Sequence, residues 1–171
     1  DWCIRYSQSS SYIRLNSLPW VMKYAHPTME VATLGRGQIL LDGAQIAIIS
    51  HGPAMLASAM CAAEITKEIN GILIKIINLP WLNYVDGVWL NSVLLNCDGV
   101  VCIEDHYEIG GQADFIQQAL TLYSSNFKIM RRVGLRGVPA SGTNAEVLEK
   151  EGLDGKSVVQ TILAMLSNLQ T

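Results

Sequence analysis

The densest run of chemically capable side chains in this sequence is Glu104, Asp105, His106, Tyr107 and Glu108, which ends at Gly110 and Gly111. Carboxylates beside an imidazole can hold a divalent metal or relay protons. Residues adjacent on a strand end point in alternating directions, however, so without further ligands they do not converge on one ion. The paired glycines suit a sharp strand-to-helix turn that leaves free amides at a helix N-terminus, where an anion could sit. A possible functional turn is therefore placed at Glu104, His106, Gly110 and Gly111, with a structural or interface role as the plainer reading and no metal site assigned. Ser50, His51, Gly52 and Pro53 form a second turn with one glycine where a dinucleotide fingerprint needs three, and Pro53 lacks the amide a phosphate would use. His51 reads as a turn residue before it reads as a base. No Gly-x-Ser-x-Gly is present, so an α/β-hydrolase nucleophile has no support. Arg14 follows a short apolar stretch and can pair bidentately with a carboxylate or phosphate. Trp81, Trp89 and Tyr84 form an aromatic group expected to serve packing or an interface.

The elements that must position these residues are legible from periodicity. Gln45 to Ser50 is a compact apolar strand entered through Asp42-Gly43 after Ile39 to Leu41. Pro53 opens a helix that runs to Asn70, where Asn70-Gly71 supplies a left-handed stop. Its alanines keep it slim enough for close packing, and Glu64 and Lys67 lie on its wet side. Ile72 to Asn78 is a strand buried on both faces, Pro80 to Asp86 a loop, and Gly87 to Leu95 a short helix. A strand over Gly99 to Glu104, a helix over Gln112 to Tyr123 and a strand over Lys128 to Leu135 follow. Two helices end the chain, Asn144 to Lys150 and Asp154 to Leu169, the last with apolar residues at helical spacing. This alternation predicts a three-layer α/β/α fold with a mostly parallel, mixed sheet of roughly five strands.

Composition narrows the function classes. Of 171 residues, 50% are hydrophobic, which supports a substantial core and excludes global disorder. Only 16% are charged, and the mean hydropathy of +0.25 points to surface hidden against a partner. A net charge of −3 without a basic cluster argues against nucleic-acid binding. The longest apolar run, Gly71 to Leu82, is interrupted by Lys75 and Pro80, so no membrane span is expected. Cys3, Cys61, Cys97 and Cys102 show no Cys-x-x-Cys spacing and read as reduced thiols, with Cys61 and Cys102 as small core residues. No signal-peptide pattern is visible, which makes the cytoplasm the expected location. The first residue is Asp1, as expected of a piece processed or excised from something longer. Residues 1–37 differ from the rest: Tyr12 to Leu15 is expected to be one strand of a preceding unit, followed by a linker punctuated by Pro27, Gly35 and Gly37.

These elements together resemble the C-terminal part of transketolases and their thiamin-diphosphate relatives. Val101, Glu104, Asp105, His106, Gly110 and Gly111 match the family's Val-x-Val-Glu-Asp/Glu-His-x-x-x-Gly-Gly segment. Pro139, Ser141, Gly142, Glu146, Leu148, Gly152, Leu153 and Asp154 resemble its Pro-x-Ser-Gly…Gly-Leu-Asp tail, and Asp86 partly matches a Pro-Leu-Asp stretch. Gln45 to Ala63 is similar to the strand, glycine turn and Ala-rich helix that open the same domain. The resemblance implies that residues 1–37 end the preceding pyrimidine-binding domain plus linker, and that 38–171 are the transketolase C-terminal domain. It further implies a transferase moving a two-carbon ketol unit between sugars. Thiamin diphosphate and Mg²⁺ would be held by upstream domains, fused or on a separate chain. This segment would bind neither, would carry no catalytic residue, and would support a homodimer. The middle domain of the family usually ends Arg-x-x-Arg, the second arginine meeting the sugar phosphate; here Arg14 matches the first, and Ser17 replaces the second. Arg14 is thereby the candidate substrate-binding residue. The alternatives are a non-catalytic interaction module, the same domain of a 2-oxoacid dehydrogenase β-chain or a deoxyxylulose-phosphate synthase, and a small independent enzyme using Glu104 and His106.

Overall fold

A computed structural model describes residues 2–15, 32–123 and 128–169. Its helices are α1 (Trp2–Arg5), α2 (Pro53–Asn70), α3 (Gly87–Val93), α4 (Gln112–Tyr123), α5 (Asn144–Lys150) and α6 (Gly155–Leu169). The strands are β1 (Gln38–Leu41), β2 (Gln45–Ser50), β3 (Lys75–Asn78), β4 (Cys97–Tyr107) and β5 (Ile129–Leu135). The strands form one sheet in the order β1-β3-β2-β4-β5, with β1 antiparallel and the rest parallel. This is the mixed five-stranded α/β architecture that the alternating pattern predicts.

Period-two alternation along the strands divides the core between the two faces of the sheet. Ile46, Ile48, Ile76, Val101 and Ile103 join Met55, Ala59 and Ala62 of α2 and Val158, Ile162 and Met165 of α6 in one apolar cluster. Ala47, Ile49, Ile77, Val100 and Cys102 face the other way, against Leu90 of α3 and Ala113, Ile116 and Leu120 of α4. A sheet covered on both sides must be apolar on both, and this accounts for the near-continuous Ile and Val runs. Burial also pushes the Cys102 thiol up, so it acts as a core side chain.

Local chemistry fixes the element ends. Gly71, at φ +71°, takes the left-handed position and donates its amide to Lys67 O at 2.8 Å, ending α2 as Asn70-Gly71 suggests. Asp86 caps α3 by accepting the Trp89 amide at 3.0 Å and is also bonded by Arg36 Nε at 2.8 Å. The Trp89 amide first, then Arg36, hold the Asp86 carboxyl below the usual range. Buried Lys75 donates to Val93 O at 2.7 Å, near the end of α3, and lies 3.3 Å from Asp42.

Several expectations need correction. Tyr12 to Leu15 forms no strand; its backbone lies outside regular structure, while Trp2–Arg5 is a short helix the sequence reading missed. Strand β3 starts at Lys75 instead of Ile72 because residues 72–74 run beside the β1–β2 turn, where Ala44 N bonds Leu73 O at 2.9 Å. Strand β4 extends from Cys97 to Tyr107 because β2 and β5 supply ladder partners beyond the apolar run, with a register irregularity between Ile103 and Tyr107. Cys61 is exposed and not in the core: it sits on the outer side of α2 where Gly155 of α6 crosses. Pro19, Pro27 and Ser17 lie outside the described residues.

The α2–α6 crossing is tight. A Cβ on Gly155 would fall 2.6 Å from both Cβ and Sγ of Cys61 and 3.1 Å from Ser58 O. Gly155→Ala should therefore lower stability by about 1–3 kcal/mol in urea unfolding, the usual cost of overpacking. Asp86→Ala should cost about 1 kcal/mol through its lost cap. Because the folded pKa of Asp86 is lowered, its charge-linked part is present above the ordinary aspartate value and fades as pH falls through the lowered one. The gap between Asp86→Ala and wild type should accordingly narrow in acid.

Candidate functional site

In an open α/β sheet the ligand crevice lies at the carboxyl ends of the strands where the chain's direction of travel reverses. Here the chain passes from β2 to β3 on one side and then crosses to β4 on the other, so the switch point lies between β2 and β4. Ser50 and His51 leave β2 there, and Glu104, Asp105 and His106 occupy the end of β4.

Glu104 is 3% exposed and turns back under the start of α4. Its Oε2 accepts the Gln112 amide at 2.8 Å, and its Oε1 accepts the Ala113 amide at 3.2 Å. A buried carboxylate thus satisfies the orphan donors and the positive end of that helix. The amides expected to be free for an outside anion are taken by the chain's own side chain. Gly110 N is likewise bonded by Asp114 Oδ2 at 2.7 Å, and this bond, with Arg132, keeps the Asp114 carboxyl below its ordinary range. Gly111 has no room for a side chain, since a Cβ would meet Glu104 Oε2 at 2.2 Å. The two glycines make different contributions: Gly110 supplies φ +79°, and Gly111 supplies space.

Gln112 links three strand exits. Its Nε2 donates to Leu79 O at 2.7 Å and Trp81 O at 2.8 Å, which commits both amide hydrogens. Its Oε1 must then be the acceptor facing His51 Nδ1 at 3.1 Å, so Nδ1 carries a hydrogen. The Nε2 of His51 lies 3.9 Å from Asp105 Oδ1. Asp105 in turn receives both arms of Arg14, Nη1 at 2.7 Å and Nη2 at 2.8 Å.

Of the sequence-selected residues, the structure brings Glu104 and Gly111 into one contact and places Arg14 against their neighbour Asp105. His106 does not join them. It is exposed, and its Nδ1 lies 3.2 Å from Tyr107 O. Sequence reasoning missed Gln112 altogether. The usable signal was its place at the first turn of α4, just after the two glycines. Trp81 donates Nε1 to Arg36 O at 2.8 Å and meets Trp2 edge-on at 4.8 Å, and Trp89 packs on the second core cluster. The aromatic group is packing, except for half-exposed Tyr84.

The crevice does not fit a diphosphate cofactor with its metal. Glu104 already fills the α4 amides, Pro53 removes one at α2, and the Glu104 and Asp105 carboxylates repel an anion. Among the described residues no group of three or more His, Cys, Asp or Glu could hold a metal ion. Nor is any described helix long and apolar enough to cross a membrane.

A family model described as the transketolase C-terminal domain matches residues 35–158. A putative transketolase C-terminal section from Methanocaldococcus jannaschii is 31% identical over 153 residues, which covers 89% of this chain and 46% of that protein. A 1-deoxy-D-xylulose-5-phosphate synthase from Caldanaerobacter subterraneus is 32% identical over 134 residues, or 76% of this chain and 21% of that protein. Among solved structures, a split-gene transketolase described as an inactive beta4 tetramer superposes with a TM-score of 0.70 at 26% identity, covering 80% of this chain and 44% of that one. A transketolase from Pichia stipitis shares the fold, with a TM-score of 0.58 at 20% identity over 80% of this chain and 18% of that one. The chain spans less than half the length of each of these relatives.

Replacing Glu104 by Gln keeps an acceptor but removes the charge and adds a buried donor. Glu104→Gln should destabilise the fold by about 1–3 kcal/mol in denaturant titration. His106→Ala, on an exposed ring, should stay within about 0.5 kcal/mol of wild type.

Proposed function

The chain belongs to the transketolase C-terminal domain family, and on that premise we propose that it completes an enzyme transferring a two-carbon ketol unit between sugars. In this reading residues 38–171 are the C-terminal domain, and residues 1–37 close a preceding pyrimidine-binding domain and its linker. Thiamin diphosphate and Mg²⁺ act in the upstream domains, fused or on a partner chain, and this domain supports a homodimer in the cytoplasm.

The observation that carries the reading is how fully the polar groups at the switch point are committed to the fold. Glu104 caps α4, His51 Nδ1 is tied to Gln112, and Asp105 holds Arg14. A domain whose carboxyl-end acids and imidazole are spent on its own architecture suits a supporting role better than an independent Glu104–His106 enzyme. The match to a putative transketolase C-terminal section supports it further. As a substrate contact for a sugar phosphate, Arg14 would offer only the N–H groups that its paired bonds to Asp105 leave over.

A second reading is favoured by one observation, the 32% identity to a 1-deoxy-D-xylulose-5-phosphate synthase. The donor separates the two. The enzyme assembled from this chain and its thiamin-diphosphate-binding domains should transfer two carbons from a ketose phosphate to an aldose acceptor, detected as a lengthened sugar by mass spectrometry. Turnover of pyruvate with no ketol transfer would overturn the first reading and support the second.

A further inference from the structure

The contact between Arg14 and Asp105 spans a boundary: Arg14 precedes the matched region, which begins at residue 35, and Asp105 lies within it. Among the described residues around Arg14, side chains are largely exposed. Tyr12 is 88% exposed and Leu15 85%, and the segment belongs to no helix or strand. Two N–H arms on one carboxylate, at 2.7 and 2.8 Å, make a fork-on-fork pair that no other side chain can reproduce. The carboxylate is aimed from beneath. Asp105 follows Glu104, which is locked onto α4, and faces His51, whose ring is fixed by Gln112.

We propose that the crevice between the carboxyl ends of β2 and β4 is a seat for the chain's own Arg14 guanidinium, which docks the N-terminal segment onto the domain. The chemistry of the crevice selects this occupant. Phosphate-binding switch points present free amides and a positive helix end. This one presents the Asp105 carboxylate beside a helix start already consumed by Glu104. Such a surface attracts a planar cation and turns away an anion. The proposal is independent of which reaction the assembled enzyme performs.

Trypsin provides a direct test, because it must draw the same guanidinium into its own acidic pocket to cut Arg14–Leu15. Cleavage of that bond in the 171-residue chain is followed by mass spectrometry and divided by the rate for a free peptide of residues 10–17. The wild-type ratio should be well below one. Asp105→Asn should raise it about threefold or more, in line with the few-fold value of an exposed but well-aligned ion pair. Sodium chloride at about 0.5 M should raise the wild-type ratio by screening the pair and leave the variant nearly unchanged. Equal ratios for wild type and Asp105→Asn would overturn the proposal. If circular dichroism finds that variant unfolded, the wild-type salt series decides alone, and a salt-insensitive ratio overturns it.

Discussion

The buried bond set between Glu104 and the first turn of α4 is the constraint on which the carboxyl end of the sheet depends. A carboxylate 3% exposed must be matched by donors, and the Gln112 and Ala113 amides are those donors. Once the helix start is pinned there, the Gln112 side chain is delivered to Leu79, Trp81 and His51, which belong to the exits of β3 and β2. Gly111 follows from the same contact, because the carboxylate occupies the space of a side chain. One buried carboxyl side chain thereby sets the relative position of three strand ends and one helix.

The arrangement also explains how an acidic, histidine-bearing sequence can be architectural. Three of the candidate polar groups have partners within the fold that compete with any outside ligand. Glu104 faces a helix end, Asp105 a guanidinium, and His51 an amide oxygen. His106 has the chemistry of a proton carrier but points to solvent, beside Tyr107 and away from the carboxylates. Alternation along the strand sends Glu104 and Asp105 to opposite faces, and the register irregularity between Ile103 and Tyr107 accompanies the change from buried Glu104 to exposed His106.

Most of the architecture was legible because it rests on local rules. Pro53 and Gly71 bracket α2, the double-sided Ile runs mark a covered parallel sheet, and α4 and α5 have the bounds their periodicity indicates. What escaped depends on partners distant in the chain. The length of β4 comes from its neighbours β2 and β5, and the loss of residues 72–74 from β3 comes from the β1–β2 turn. The amides expected to be free at the helix start after Gly110 and Gly111 are taken because Glu104 folds back onto those of Gln112 and Ala113, which nothing in the order of residues announces. Cys61 looked like core from its apolar neighbours, but it lies on the wrong side of α2. Tyr12 to Leu15 has strand composition without a strand beside it.

The topology has a bearing on how the chain acquires this structure. Central strand β2 pairs with β3 and β4, neither adjacent in sequence without a helix between, and only the short β1 pairs antiparallel. Among the described residues no tight hairpin is available to start the sheet, so loop closure must precede most of the strand pairing that rewards it. One face of the sheet is roofed jointly by α2 and by α6, which is made long after it, and Gly155 must meet Cys61 before that roof closes. During synthesis Ile46, Ile48 and Ile76 therefore face water, or a chaperone, until α6 has left the ribosome.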